Sequence, residues 1–317
     1  MELSGIKKIA GEIKSNLSTV LVGRDETIDL VLITLICGGH VLLEDVPGVG
    51  KTMLAKCLAR SLDCEFKRVQ FTPDLLPSDL TGINYYDQKQ GEFIFRPGPL
   101  FANVVLADEI NRATPRTQSS LLECMEEGQV TVDGETRKLG RPFFVIATQN
   151  PVETRGTFPL PEAQLDRFFM RLRMGYPSPG EGVEILRRFR GSDPAAALKV
   201  AASGAAVTEA QESFSAVKVS EAVEKYIIDL IEATRQDEKI SLGVSPRGSI
   251  ALMRAAQANA VLEGRDFAMP DDVKKVAVPV LAHRMILKGH AISGGTEQAE
   301  TAVRDILKRV PVPTEEI

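Results

Sequence analysis

Residues Asp45 to Thr52 read Asp-Val-Pro-Gly-Val-Gly-Lys-Thr and directly follow the apolar run Val41-Leu42-Leu43. A buried strand, a Gly-rich loop and a helix opening at Thr52 make a phosphate cradle, because the loop amides and the positive end of the helix dipole point at an anion. Val46, Pro47, Gly48, Val49, Gly50, Lys51, Thr52 and Met53 are the stretch that would wrap it. Lys51 reaches the β- and γ-phosphates of a bound nucleotide, and the Thr52 hydroxyl ligates Mg²⁺. The general pattern G-x-x-x-x-G-K-[ST] asks for Gly where Asp45 stands. An ordinary strand-to-helix turn with a chance Gly-Lys-Thr is the plain alternative.

A second apolar run, Val104 to Ala107, ends in Asp108-Glu109. After a phosphate loop, such a pair supplies the other half of a nucleoside triphosphatase: Asp108 holds Mg²⁺ through water and Glu109 polarises the attacking water. A third run, Phe143 to Thr148, leads to Gln149-Asn150-Pro151-Val152. If that strand neighbours the phosphate-loop strand, the Asn150 amide reaches the same sheet edge and positions the water or the γ-phosphate; otherwise it is a turn former before Pro151. The stretch does not supply the Asn-Lys-x-Asp that reads guanine, so ATP is favoured over GTP. Phosphoryl transfer gains from a cation at the γ-phosphate, which a neighbouring subunit can supply. Arg167 is the candidate, or else it pairs locally with Asp166. Arg247, in the first turn of a helix opening at Ser245, stands where cations are disfavoured; it either reaches a phosphate or extends into water. Arg112, Arg116 and Arg155 are weaker candidates for contacts between subunits.

These residues need a scaffold that brings strand ends together. Continuous apolar strands at Val41–Glu44, Phe66–Phe71, 104–107, 143–148 and Phe169–Met174 alternate with helices at Asp25–Cys37, Thr52–Leu62 and Pro115–Glu127. That order predicts a parallel sheet covered on both faces, with ligands bound beyond the carboxyl ends of its strands. Two stretches break the rhythm. Gly82–Pro99 alternates around Gln90-Gly91, and Gln129–Leu139 alternates around Asp133-Gly134, a strong two-residue turn. Both read as projecting hairpins, either decoration over a sheet edge or elements that touch a pore or partner. After Met174 the composition shifts. Gly191–Ala206 is Ala-rich and reads as a loose loop. Helices follow from Val219, from Ser245-Pro246 and from Met269-Pro270. The expected domains are 1–176, α/β, and 177–317, all-helical.

The chain has 317 residues, 26% of them charged, and a net charge of −5. No global basic field attracts nucleic acid or anionic lipid. Cys37, Cys57, Cys64 and Cys124 form no CxxC pair, and three lie in apolar or helical surroundings, so buried reduced thiols are expected. His40, His283 and His290 are too scattered for a metal cluster. No run is long enough to span a bilayer, the N-terminal residues carry no secretory signature, and a cytoplasmic protein is the default.

Taken together the chain resembles an AAA+ ATPase, and specifically the MoxR family. The resemblance covers nearly the whole chain and is carried by Val41–Thr52, Ala107–Ala113, Leu121–Gly128, Ala147–Pro151, Phe158–Phe168 and Ser245–Arg247. It implies an α/β P-loop domain with inserted hairpins followed by a helical lid. It implies that Val22 and Gly23 line an adenine pocket and that Lys51 and Thr52 are Walker A. Asp108 and Glu109 would be Walker B, Asn150 sensor 1, Arg167 the arginine finger and Arg247 sensor 2. It implies a hexameric ring that remodels proteins with ATP and Mg²⁺, usually beside a partner carrying a von Willebrand factor A domain. ATP would sit between the α/β domain and the lid. A DNA-dependent motor and a chelatase-like motor subunit are the other classes weighed; the acidic balance favours a protein substrate.

Overall fold

The computed structural model describes residues 1–151, 156–191, 194–289 and 296–313. Arg155, Val152 and His290, named above, lie outside them. Helix α1 (Leu3–Val20) buries Ile6, Ala10, Ile13, Leu17 and Val20, a stripe at helical spacing. Helix α2 (Asp25–Ile36) has acidic residues in its first turn and is apolar around most of its circumference, so it lies inside. Gly38, at φ 66, stops it in the left-handed region that glycine adopts freely.

Strand β1 (Val41–Glu44) leads into α3 (Lys51–Ser61), and β2 (Phe66–Gln70) into the short α4 (Pro77–Thr81). The first hairpin is β3 (Gly82–Asp87) with β4 (Glu92–Pro97). Strand β5 (Val104–Asp108) precedes α5 (Pro115–Glu127). The second hairpin, β6 (Gln129–Val132) with β7 (Glu135–Lys138), turns at Asp133 and Gly134, both at positive φ as a two-residue turn requires. Strand β8 (Phe144–Gln149), one turn of helix α6 (Glu162–Leu165) and β9 (Met170–Leu172) complete the first half.

The second half holds α7 (Pro179–Arg188), α8 (Gly204–Ser213), α9 (Glu221–Gln236), α10 (Pro246–Glu263), α11 (Pro270–Leu281) and α12 (Thr296–Arg309). Two short strands pair among them, β10 (Ile240–Leu242) and β11 (Ile286–Leu287).

Five strands form one parallel sheet in the order β2-β5-β8-β1-β9. Strand β1 therefore lies beside β8, as the reading of Asn150 required, and its residues are buried. The two hairpins belong to separate two-stranded sheets and extend neither edge of the main one. They touch each other: Asn84 donates to Asp133 Oδ2 at 2.8 Å, and the Arg137 guanidinium lies over the Phe95 ring at 4.1 Å. Tyr86 and Phe93, paired across the first hairpin, are 54% and 74% exposed.

One apolar core runs from α1 and α2 into α9, α10 and α11, so the helical half is docked along the α/β half. A second core covers the other face of the sheet beneath α5. From 194 to 206 the chain departs from its expectation as a loose loop. Pro194–Ala197 forms a 3-10 turn, and α8 begins at Gly204 with Ser203 Oγ accepting the Ala206 amide at 3.2 Å. Between them Leu198 and Ala202 are buried, Ala201 donates to the Ser61 carbonyl at 2.8 Å, and Arg60 donates to the Leu198 carbonyl at 3.1 Å. The end of α3, unreadable from an Ala-rich composition, orders this stretch. Among the described residues no helix is long and apolar enough to cross a membrane. Cys37, Cys57 and Cys124 are buried and in no disulfide, and burial pushes the Cys124 thiol up to about 12.

Candidate functional site

Strand β1 ends at the carboxyl edge of the sheet, and the loop that follows turns through Gly48 (φ 86) and Gly50 (φ 102) into α3. Only glycine adopts Gly50's conformation without strain. The loop opens into a cavity of about 410 Å³ lined by Pro47, Gly48, Gly50, Lys51, Thr52 and Met53 together with Asp108, Glu109 and Asn150. Arg68 and Gln70 line it too, so four strand ends, those of β1, β2, β5 and β8, meet in one place. Lys51 is half-buried; burial pulls its ammonium below the usual lysine range, while Asp108, Asp45 and Glu109 pull the other way. Its Nζ donates to the Asp45 carbonyl at 2.8 Å.

Asp45, the departure from the general loop pattern, is 8% exposed, and its carboxylate has a task. Oδ2 accepts the amides of Met174 and, at 3.1 Å, Gly175, the residues that follow β9. The loop is thereby tied to the chain as it leaves the sheet.

Asp108 and Glu109 are held in different ways. Thr148 donates to Asp108 Oδ1 at 2.6 Å, and Arg68 donates to Asp108 Oδ2 at 2.6 Å. Glu109 has φ 57, an uncommon conformation for a residue with a side chain, and its amide is held by Thr148 Oγ1 at 2.9 Å. Its Oε2 accepts from Gln70 Nε2 at 2.7 Å and from Arg112 at 3.0 Å. Arg112, a weaker candidate for contacts between subunits, pairs with Glu109 in its own chain. Arg68, Gln70 and Thr148 were not singled out from the sequence. Their signal was positional: β2 is parallel to β5, with Gln70 beside Asp108, so its last residues reach the same edge.

Asn150 is buried and lines the cavity. Val46 and Val49 belong to the loop but do not line the cavity, and Val22 and Gly23 lie in the turn between α1 and α2. That turn adjoins the loop: a Cβ built on Gly50 would come within 3.9 Å of Leu21 and 3.8 Å of Met174. Gly23 in turn sits under the Glu181 side chain of α7.

Arg167 and Arg247 are elsewhere. Both line a second cavity of about 310 Å³ that shares no lining residue with the first. The topology explains the separation. Arg167 enters β9 from its amino end, and β9 is parallel to β1, with Met170 beside Val41. Arg167 therefore stands at the amino edge of the sheet and the phosphate loop at the carboxyl edge, a four-residue strand or roughly 13 Å apart along β1. Glu126 joins the two arginines, its Oε2 3.2 Å from Arg167 Nε and its Oε1 bonded to Arg247. Among the described residues, none of the helical half lines the phosphate-loop cavity, and Arg247 lies in the other one. Arg116 is exposed in the first turn of α5.

Comparison with known proteins agrees with this geometry. The family model described as the ATPase family associated with various cellular activities (AAA) matches residues 40–170, and the AAA lid domain matches 232–306. The chain is 51% identical to "Uncharacterized protein YeaC" of Bacillus subtilis, covering 97% of this chain and 96% of that one. It is 40% identical to "Chaperone MoxR1" of Mycobacterium tuberculosis, covering 93% of this chain and 80% of the relative. "Protein MoxR" of Paracoccus denitrificans is 35% identical over 86% of each. A crystal structure of a putative ATPase from Cytophaga hutchinsonii superposes with a TM-score of 0.88 at 41% identity, covering 98% of this chain and 96% of that one. With sequence shared along nearly its whole length and a phosphate loop facing an acidic strand end, the chain belongs to the MoxR family of AAA ATPases.

Proposed function

We propose that this ATPase works as a ring, most simply a hexamer, in which each nucleotide is bound by one subunit and completed by the next, and that it uses hydrolysis to remodel a protein substrate as a chaperone. The observation that carries this reading is the separation of Arg167 and Arg247 from their own phosphate loop. Two guanidinium groups at the opposite sheet edge serve phosphoryl transfer only if a neighbouring copy presents its nucleotide to them.

In this reading Lys51 and the loop amides from Val46 to Met53 bind the phosphates, and Val22-Gly23 borders the adenine. Glu109 polarises the attacking water and Asn150 orients it. The oxygen donors fit a hard cation: Thr52 and Asp108 share the cavity, and no cluster of three metal-ligating side chains exists among the described residues. Mg²⁺ is typically held by one or two protein oxygens plus substrate phosphates, without a dedicated protein cage. Thr52 and Asp108 would hold it, and when bound it neutralises charge at the β- and γ-phosphates.

We take the chain as two working units, 1–176 and 177–317, linked where Asp45 grips Met174 and Gly175. The touching hairpins, with Tyr86 and Phe93 exposed, are the surface offered to a substrate or to a partner with a von Willebrand factor A domain. The test is the hydrolysis rate per subunit against protein concentration. A steep rise supports shared sites. A flat rate from a particle that sizes as a monomer would defeat the ring. Stimulation by single-stranded DNA that fades with added salt would favour a nucleic-acid motor instead.

A further inference from the structure

The cavity around Arg167 and Arg247 already holds an anion of its own. Glu126 divides its two carboxylate oxygens between two arginines that come from different elements, Arg167 from the approach to β9 and Arg247 from the start of α10. This is the arrangement in which a pair of guanidinium groups would grip a phosphate.

Neither helix favours its member of the cluster. Glu126 lies in the last turn of α5, which carries no basic residue and presents the negative end of its dipole. Arg247 lies in the first turn of α10, which carries no acidic residue and presents the positive end. The two charges hold each other there, without help from their own backbones.

The backbone around Arg167 is fixed by other means. Arg284, whose side chain is 3% exposed, pairs with Asp166 at 2.8 Å and donates to the carbonyls of Phe168 at 2.8 Å and Phe169 at 3.1 Å. What Arg284 leaves unfixed is the aim of the Arg167 head group, and that is what Glu126 sets. The Glu126 backbone is itself anchored, since His40 Nε2 donates to the adjacent Met125 carbonyl at 3.0 Å. The side chains of Glu126, Arg167 and Arg247 are 34%, 32% and 50% exposed, so an arriving anion can reach them. Arg254 and Arg284 also line the cavity, and among its described lining residues Glu126 and Asp166 oppose four guanidinium groups, so it keeps an excess of positive charge.

We propose that Glu126 is a positioning residue, the resident anion that holds Arg167 and Arg247 together and yields them to the terminal phosphate of a neighbouring subunit's nucleotide. This rests on the shared-site reading above. Glu126 precedes Gly128, the cap of α5, and the hairpin β6–β7 begins at Gln129. The exchange of anions therefore occurs at the root of that hairpin.

The test is steady-state hydrolysis against ATP concentration, at a subunit concentration where the wild-type rate per subunit has levelled off. Glu126→Gln keeps the shape of the side chain and removes the competing charge. Half-saturating ATP should fall roughly two- to tenfold, as expected for freeing two half-exposed pairs, with the change greater there than in the maximal rate. Glu126→Asp keeps the charge on a shorter arm and should lie nearer the wild type. An unchanged or raised half-saturating ATP in Glu126→Gln overturns the proposal. So does a lower maximal rate accompanied by a lower melting temperature, which marks a merely structural role. Arg167→Ala separates the two levels. If it hydrolyses ATP normally, the shared-site reading fails. If it is inactive while Glu126→Gln behaves as wild type, only the role of Glu126 fails.

Discussion

Asp45 Oδ2 accepts the backbone amide of Gly175 at 3.1 Å, and the Met174 amide bonds to the same oxygen. A carboxylate in the phosphate loop thus serves the chain leaving β9. The general loop pattern would place Gly here, and the structure shows what Gly would lose. Asp45→Gly leaves two inward amides without their acceptor, at a cost of about 1–3 kcal/mol for each one left dry. Restoring the general pattern should therefore lower the melting temperature and weaken ATP binding. Asp45→Asn keeps a carbonyl acceptor and should be milder. A melting curve for Asp45→Gly that overlays the wild type would remove this role.

Lys51 and Glu109 face one cavity but should fail differently. Lys51→Ala removes the cation that meets the phosphates and should weaken binding of a fluorescent ATP analogue. Glu109→Gln keeps the cavity's shape and should keep binding, while phosphate release falls by about 10²-fold or more. Normal turnover in Glu109→Gln would take Glu109 out of the chemistry.

Much of this site was legible because local signals and topology agree. The glycines at 48 and 50 and the apolar runs at 41–44, 104–107 and 143–148 each mark a strand or loop without reference to the rest of the chain. A parallel sheet then forces their ends together. Asp133-Gly134 fixed its hairpin to the residue for the same reason: a two-residue turn with both φ values positive tolerates few sequences. Glu126 and Arg284 carried no such mark. Their roles come from partners far away in sequence, Arg247 for one and Asp166 for the other. The start of α8 at Gly204, inside the stretch read as a loop, was hidden for a related reason, since burial of Val207 and Ala210 decides it more than the Ala-rich composition.

Arg284 and Arg247 line the same cavity, yet their loss should register on different scales. Arg284→Ala removes a buried cation and leaves Asp166 and two carbonyls without it, a change in the range of about 3–5 kcal/mol. Arg247, half-exposed, should cost about 1 kcal/mol or less when replaced by Ala. Chemical denaturation of the two variants compares them directly. Equal losses would mean that Arg284 does not clamp the Arg167 segment.

Neutral His40 bridges α5 and β8, donating from Nε2 to Met125 and accepting the Val145 amide at Nδ1. Burial lowers its pKa from 6.5 to about 4. The unfolded chain therefore takes up a proton near pH 6.5, while the folded protein refuses it until the pH nears 4. The stability involved is complete above pH 6.5 and is lost as the pH falls towards 4. Between pH 7 and 5 this amounts to about 2 kcal/mol. Buried His283, also lowered, acts in the same direction. His40→Gln can donate and accept without titrating, so its stability should fall less steeply over that interval. Identical slopes for variant and wild type would rule His40 out.

Subunit mixing tests the shared site most directly. Lys51→Ala subunits lack a working cradle but retain Arg167 and Arg247. Arg167→Ala subunits retain the cradle but offer their neighbour no Arg167. Each preparation alone should be nearly inactive, with a loss of about 10³-fold or more where the trans cation is missing. Mixed in one ring, an Arg167→Ala cradle facing a Lys51→Ala neighbour has every group it needs. Equal random mixing should restore roughly a quarter of the wild-type rate, because one junction in about four is then complete. If the two sets of residues served the same subunit, no junction in the mixture would be complete. Recovery of activity thus requires the arginines to act across the interface, and its absence, in rings shown to have exchanged subunits, would return Arg167 to its own chain.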